Sequence, residues 1–217
     1  MRIASAAAPP FFKNGYLVSS DTSREAVLID PGDEVASLLD VARKEKLIVK
    51  AILLTHAHVD HVTGVAAAKA ELGVPVWLHR ADLPLYNIAV QQGRMFGLDV
   101  EQPPPVDEFF TPGQALTFGE YTVDVLETPG HCPGGVCLAI GPRSSPEREL
   151  FVGDTLFAGS IGRTDLMGGD TDLLLRSIRD VLFKFPDDTP VHSGHGPDTT
   201  IGVERRTNPF LNGGLPR

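Results

Sequence analysis

Short apolar runs broken by Gly, Pro, Asp and Ser set the pattern of this chain, and such runs read as buried strands. Residues 11–18 and 26–29 predict two strands joined by a polar turn at 19–24. Asp30-Pro31-Gly32 is a turn signal. Asp33 is the predicted N-cap of a helix whose Val35, Leu38, Leu39, Ala42 and Leu47 share one face. Residues 47–54 predict a further buried strand, 61–72 a helix stopped by Gly73, and 74–79 another strand. Residues 87–110 contain Gly93, Gly97 and Pro103-Pro104-Pro105, and read as a long loop with about one helical turn, bordering a cleft. The second half repeats the logic with strands at 115–118, 121–126, 136–140 and 150–152. A helix at 172–185 turns Leu173, Leu174, Ile178, Val181 and Leu182 inward, followed by a strand at 191–193 and a helix at 199–206. Strands then a helix, twice over, predict an α/β (α+β) protein with two sheets face to face and helices outside.

Composition narrows the class. A length of 217 residues with 42% hydrophobic and 22% charged residues fits a single domain spanning 1–217 with a core of its own. The net charge of −9 argues against a broad nucleic-acid footprint, which needs clustered Lys and Arg. An anionic substrate stays open, because bound cations would supply local positive charge. The two cysteines, Cys132 and Cys137, form no disulfide framework. The apolar stretch before Pro9-Pro10 is short for a signal sequence, and no run approaches a membrane span, so a cytoplasmic protein without membrane partners is expected.

Candidate chemistry gathers at strand ends. Thr55-His56-Ala57-His58-Val59-Asp60-His61 holds three of the seven histidines directly after the predicted strand at 47–54. In an extended chain His56 and His58 point the same way, and Asp60 and His61 arrive from the turn that follows. Imidazole and carboxylate are ligands that zinc and its neighbours prefer. Thr128-Pro129-Gly130-His131, Gly153-Asp154-Thr155 and Ser193-Gly194-His195-Gly196 each add one further donor after a strand. Each of these alone is weak, whereas all four in this order form a metal-ligand constellation.

In this order the residues resemble the metallo-β-lactamase-fold hydrolases, and within them the glyoxalase II (hydroxyacylglutathione hydrolase) enzymes of the short single-domain bacterial branch. The stretches 153–165, 94–98, 194–197 and 208–211 are similar to that branch as well. The resemblance implies a four-layer αββα sandwich. It implies two divalent ions about 3.5–4 Å apart, with zinc as first expectation and iron or manganese as alternatives. His56, His58 and His131 would hold one, Asp60, His61 and His195 the other, and Asp154 would bridge. The implied reaction is hydrolysis of a thioester such as S-lactoylglutathione to D-lactate and glutathione, a step of methylglyoxal detoxification. A metal-bridging hydroxide is the implied nucleophile, with Asp60 as the catalytic carboxylate. The longer enzymes of that type carry a glutathione-holding C-terminal domain, which is not expected here because the stretch Ile201 to Arg217 after the last ligand turn is too short for one. Arg163, Arg94 and Phe96 are candidates for a replacement pocket, Arg163 being equally a partner for Asp165. The rival readings are a mononuclear-iron persulfide dioxygenase of the same fold, a metal-dependent phosphodiesterase or nuclease, and a metal-binding regulator. The expected partner is a small-molecule thioester, and the expected assembly a monomer or homodimer.

Overall fold

Side chains alternate along each strand of the computed structural model, and the alternation builds three separate apolar cores. The structure describes residues 1–111 and 113–212; positions 213–217, where the expected domain ends, lie outside the described residues. One sheet orders β1 (Arg2–Ala8), β2 (Lys13–Ser19), β3 (Glu25–Ile29), β4 (Ile48–Leu53), β5 (Val76–Leu78) and β6 (Glu108–Phe109) side by side. Its first three strands are antiparallel and the rest parallel. The second sheet uses β7 (Ala115–Phe118), β8 (Tyr121–Glu127), β9 (Val136–Pro142) and β10 (Glu149–Gly153). A two-stranded ribbon, β11 (Leu156–Phe157) with β12 (Ser160–Ile161), follows. The second sheet then closes with β13 (Pro190–Ser193) and β14 (Thr199–Thr200).

Tyr16, Val18, Val27, Ile29 and Leu53 point between the sheets and meet Phe118, Val123, Leu138, Ile140 and Phe151. Their neighbours in sequence, Leu17, Ala26, Leu28 and Ile52, point outward. These pack under α1 (Val35–Glu45), α3 (Val65–Leu72), α4 (Leu83–Asn87) and α5 (Ala89–Met95), with the short α2 (Val59–Val62) ahead of α3. On the second sheet Cys137, Ala139, Leu150, Val152 and Val191 pack under α6 (Thr171–Asp180) and α7 (Ile201–Thr207). Burial on both faces explains why the strands read as continuous apolar runs. The layering is the expected αββα sandwich.

Several elements differ from the sequence expectation. β1 is additional; its small residues pair in register with β2, from Arg2↔Ser19 to Ala8↔Lys13. The helix expected at 61–72 is broken at Gly64, where a Cβ would lie 2.3 Å from the Gly32 carbonyl, so a close approach of two segments sets the break. Residues 87–110 are a loop only in part: 96–107 carry neither helix nor strand, and Glu108–Phe109 form β6. Ala89–Met95 form α5, about two helical turns, whose Gly93 lets Val100 fold back against it. Asp33 does not cap α1; Glu34 takes that place without a capping hydrogen bond.

Glu34 is buried for another reason. Lys13 Nζ lies 2.8 Å from Glu34 Oε1, both side chains are almost fully enclosed, and the same Nζ donates to the Asp30 carbonyl. Glu34 Oε1 also accepts the Gly32 amide at 2.8 Å. Removing one partner strands the other charge, so Lys13→Met is expected to lower unfolding free energy by about 3 kcal/mol or more. Lys13→Met combined with Glu34→Leu should recover much of that loss. Urea denaturation of the two variants checks it, and equal losses would mean the pair is not what holds the turn.

Candidate metal centre

Five chain segments converge on one edge of the sandwich, each leaving the end of a strand. Asp30 follows β3, Thr55 to His61 follow β4, His131 sits between β8 and β9, Asp154 follows β10, and His195 follows β13. The Val136 amide donates to the Thr55 carbonyl at 2.9 Å and the Gly194 amide to the Gly153 carbonyl at 2.8 Å, which ties the segments together. Gly153 has φ +49, and a Cβ there would come within 2.2 Å of Thr55 Oγ1. Glycine is needed at that position both for its backbone conformation and for the approach.

All seven predicted ligands meet at this edge. His56, His58 and His131 form one compact group, and Asp60, His61 and His195 a second. Asp154 stands between them, with Oδ1 3.3 Å from His61 Nε2, and Oδ2 3.7 Å from His131 Nε2 and 3.6 Å from His195 Nε2. A third grouping, Asp30 with His56 and His61, shows how tightly the donors are packed.

A surrounding shell of hydrogen bonds fixes the ring orientations. Asp30 accepts the Thr55 amide at 2.7 Å, the Thr55 hydroxyl at 2.6 Å and His61 Nδ1 at 3.0 Å. The Thr55 hydroxyl proton is thereby committed, so His56 Nδ1, 3.1 Å away, is the donor to Thr55 Oγ1. His131 Nδ1 donates to the Arg163 carbonyl at 2.7 Å. His56, His61 and His131 therefore all turn Nε2 inward, as metal-ligating imidazoles do when the other nitrogen is held by an oxygen.

The arrangement fits divalent cations. His56 Nε2 and His131 Nε2 face each other at 3.3 Å although both rings have already used their Nδ1 protons. Two such lone pairs repel unless something positive lies between them. His61 Nε2 and Asp154 Oδ1 are buried without a hydrogen-bond partner. Burial and the neighbouring rings push His56 below the usual imidazole range, and burial and His131 bring His58 down to about 4. For His61, burial is outweighed by Asp60, Asp154 and Asp30, which raise it to about 10. Burial would raise Asp60, but His61 and His195 outweigh it and hold the carboxyl below its ordinary range. The centre thus combines imidazoles with ionised carboxylates, the donor set of a hydrolytic metal site, and the three carboxylates that draw positive charge onto His61 are the groups a cation would satisfy there.

Sequence reading missed the supporting residues. Asp30 was read as a turn, although it ends an apolar strand just as Asp154 does. Asp82 is fully buried and accepts the Ala57 amide at 3.0 Å, the Gly134 amide at 2.5 Å and the Cys132 thiol at 3.1 Å. Cys132 is thus a structural thiol, and burial pushes its pKa up. Gln92 on α5 accepts the Val59 amide at 3.2 Å and donates to the Ala57 carbonyl at 3.1 Å. Asn14 on β2 donates to the carbonyls of Ser193 and Gly196, clasping the His195 turn. Asp30 apart, no local spacing marks these residues.

The three candidates for substrate contact are placed unevenly. The Arg163 guanidinium is exposed and binds Asp165 through two contacts of 2.8 Å, so only its carbonyl reaches the cluster. Arg94 and Phe96 are exposed at the end of α5, and the Phe96 ring meets Phe11 edge to face at 5.4 Å.

His192 is enclosed away from the cluster, between Glu149 Oε2 at 2.9 Å and Asp198 Oδ2 at 3.0 Å. Burial alone would lower its pKa, but the two carboxylates raise it. A raised folded-state pKa stabilises the fold below the unfolded value of about 6.5, and that contribution is lost as pH rises through the folded value. The stability deficit of His192→Gln should therefore be largest in mildly acidic buffer and shrink toward alkaline pH. Urea midpoints across pH test this, and a constant gap would contradict it.

The chain belongs to the metallo-β-lactamase superfamily, which its sequence matches over residues 8–198. Fold and site together define a metal-dependent enzyme of the metallo-hydrolase kind. The hydroxyacylglutathione hydrolase GloC of Haemophilus influenzae is 38% identical over 194 residues, covering 88% of this chain and 90% of that protein. The crystal structure of TTHA1623 in a di-iron-bound form is 44% identical with a TM-score of 0.84, covering 96% of this chain and 100% of that one. BLEG-1, a B3 metallo-β-lactamase, is 39% identical with a TM-score of 0.87, covering 97% and 100%. Among the described residues no helix is long and apolar enough to cross a membrane.

Proposed function

We propose that the protein is a dinuclear-metal thioester hydrolase of the hydroxyacylglutathione hydrolase type, acting on substrates such as S-lactoylglutathione in the cytoplasm. The observation that carries this reading is the pair of donor groups, three histidines on one side and Asp60, His61 and His195 on the other, with Asp154 between them. The similarity to GloC supports the choice of a thioester. Two divalent ions held there by these residues would lower the pKa of water toward neutrality and would polarise a carbonyl. Zinc is the first candidate; the di-iron form of TTHA1623 keeps iron open for this chain.

The chain's own residues supply orientation and proton handling. Asp60 Oδ2 lies 3.1 Å from His195 Nε2 at the solvent-facing side of the cluster, where it aligns the attacking water and takes its proton. Asp30 and Thr55 keep the rings of His61 and His56 from rotating. The water oxygen forms a bond to the carbonyl carbon, the carbon–sulfur bond breaks, and its electron pair leaves on sulfur. Thiolate is a good leaving group and needs no dedicated acid. A small-molecule partner and a monomer or homodimer complete the proposal.

The test is metal analysis of protein purified without added metal, then a thioester assay on the same sample. Two ions per chain and equal amounts of D-lactate and glutathione support the reading. One iron per chain with oxygen uptake on glutathione persulfide and no thioester cleavage would replace it with the dioxygenase. A β-lactam and a phosphodiester belong in the same assay panel, the first because of the similarity to BLEG-1.

A further inference from the structure

The histidine cluster is not equally enclosed on all sides. His56, His58, His61 and His131 are buried, while the His195 side chain is 32% exposed and Asp60 and Asp154 are 13% exposed. The centre therefore opens past His195 and Asp60, and three segments are tied directly to residues of the cluster or of its loops.

The first is the tip of the β1–β2 hairpin. Lys13 forms a β-bridge with His195 and the Asn14 amide donates to the Gly194 carbonyl at 2.7 Å, so Phe11 and Phe12 stand beside the His195 turn. The second is the end of α5, anchored to the metal loop through Gln92 and ending in Met95 and Phe96. The Phe11–Phe96 contact joins these two into one wall. The third is the stretch 163–169. It is tied to His131 through the Arg163 carbonyl, packs Gly168 on Pro133, and carries Met167. Phe157 adds a ring 6.1 Å from that of His195.

Seven large apolar side chains are strongly exposed among the described residues, and four of them lie on these three segments. Phe12 is 63% exposed, Met95 81%, Phe96 52% and Met167 60%. Clustering of that kind around a cleft marks a binding surface, since scattered exposed residues need no such explanation. Phe12 also has φ +53, a left-handed backbone that a bulky residue rarely adopts. Strain of this sort collects at ligand-contacting positions.

Charge on the same segments is largely spent. Of the cations Lys13, Arg94 and Arg163, the first is paired with Glu34 and the third with Asp165. One guanidinium, Arg94, is left to meet an anionic substrate. We propose that this apolar wall makes the preferred substrates thioesters that carry an apolar chain or ring beside the scissile bond, with short polar thioesters turned over more slowly. The inference rests on the thioester-hydrolase reading for its reaction, but not for its binding surface.

The experiment uses the metal-loaded full chain and a small neutral thiol carrier, N-acetylcysteamine. The hexanoyl thioester is expected to exceed the acetyl thioester in kcat/KM by about tenfold or more, as burial of a few methylenes implies. The acetyl thioester of benzyl mercaptan reports whether the apolar group is read on the thiol side instead. Binding of the non-hydrolysable S-hexyl and S-methyl thioethers of the same carrier is measured alongside, with the hexyl compound expected to bind about tenfold tighter. Phe96→Ser and Phe12→Asn, the latter chosen because Asn tolerates the left-handed backbone, should each move these ratios toward one. Ile48→Ser, an exposed apolar residue away from the cleft, should leave them unchanged. Equal rates for hexanoyl, acetyl and benzyl substrates with equal thioether binding overturn the inference. So do ratios unmoved in both wall variants, including the case where those variants only change the oligomeric state, which would make the wall an interface between copies. Selective hexyl binding without any thioester cleavage keeps the apolar wall and removes the thioester reading.

Discussion

Asp154→Ala is expected to strip the protein of both metal ions and with them all hydrolytic activity, while the fold survives. The Asp154 carboxylate lies between the two halves of the centre. Oδ1 lies 3.3 Å from His61 Nε2, and Oδ2 lies 3.7 Å from His131 Nε2 and 3.6 Å from His195 Nε2. It is also an ionised group in this setting: burial opposes the charge, but His61, His131 and His195 outweigh it and lower the pKa. Alanine leaves five imidazoles with one carboxylate, Asp60, among the assigned ligands. Like charges held close repel, so both sites weaken together rather than one alone. The strand that delivers the residue keeps its pairing through the Gly194–Gly153 hydrogen bond, which involves no side chain. The expected result is a circular dichroism spectrum like that of the parent and a metal content near zero by elemental analysis. A variant that retains two ions per chain contradicts the bridging assignment, and one that retains a single ion would show that Asp154 serves only one site.

The seven side chains that meet in the cluster were legible in the sequence because candidate metal donors must be particular residue types at short spacings after apolar strands. His56, His58, Asp60 and His61 fall within one turn of chain, and His131, Asp154 and His195 each follow an apolar run. The strands were legible because both faces are buried, which leaves no polar alternation to confuse the pattern. What was lost depends on contacts far apart in sequence. The Gly64 break exists because Gly32 lies against it, and α5 exists because Gly93 and Gln92 find Val100 and the metal loop. Asp30 is recognisable as the shared acceptor for Thr55 and His61 only once β3 and β4 lie side by side. The same limit applies to the apolar wall. Phe96 is a candidate from the sequence and Phe11 opens a predicted strand, but only the fold brings their rings together.

Asp60→Asn should lower kcat by about 10²–10⁴-fold with a change of only a few-fold in KM, the range that loss of a positioned proton acceptor produces. The two side chains have nearly the same volume, so packing is conserved and folding should be unaffected. What changes is the charge and the capacity to accept. Asp60 is held ionised because His61 and His195 outweigh its burial, and an ionised carboxylate only accepts hydrogen bonds. An amide at the same place offers one acceptor oxygen and two donor protons, and it cannot take a proton from water at neutral pH. It also faces His195 Nε2, 3.1 Å from Asp60 Oδ2, and His61 Nε2, 3.7 Å away, where loss of the negative charge weakens their hold on a shared cation. Loss of one ion and loss of the proton acceptor would both reduce turnover, so the assay must be read against metal content measured on the same sample. With two ions still bound, the fall in kcat belongs to the proton. Substrate binding depends on the apolar wall rather than on this carboxylate, which is why KM should hold nearly steady. Undiminished kcat at full metal content would take Asp60 out of the reaction and leave it as a ligand only.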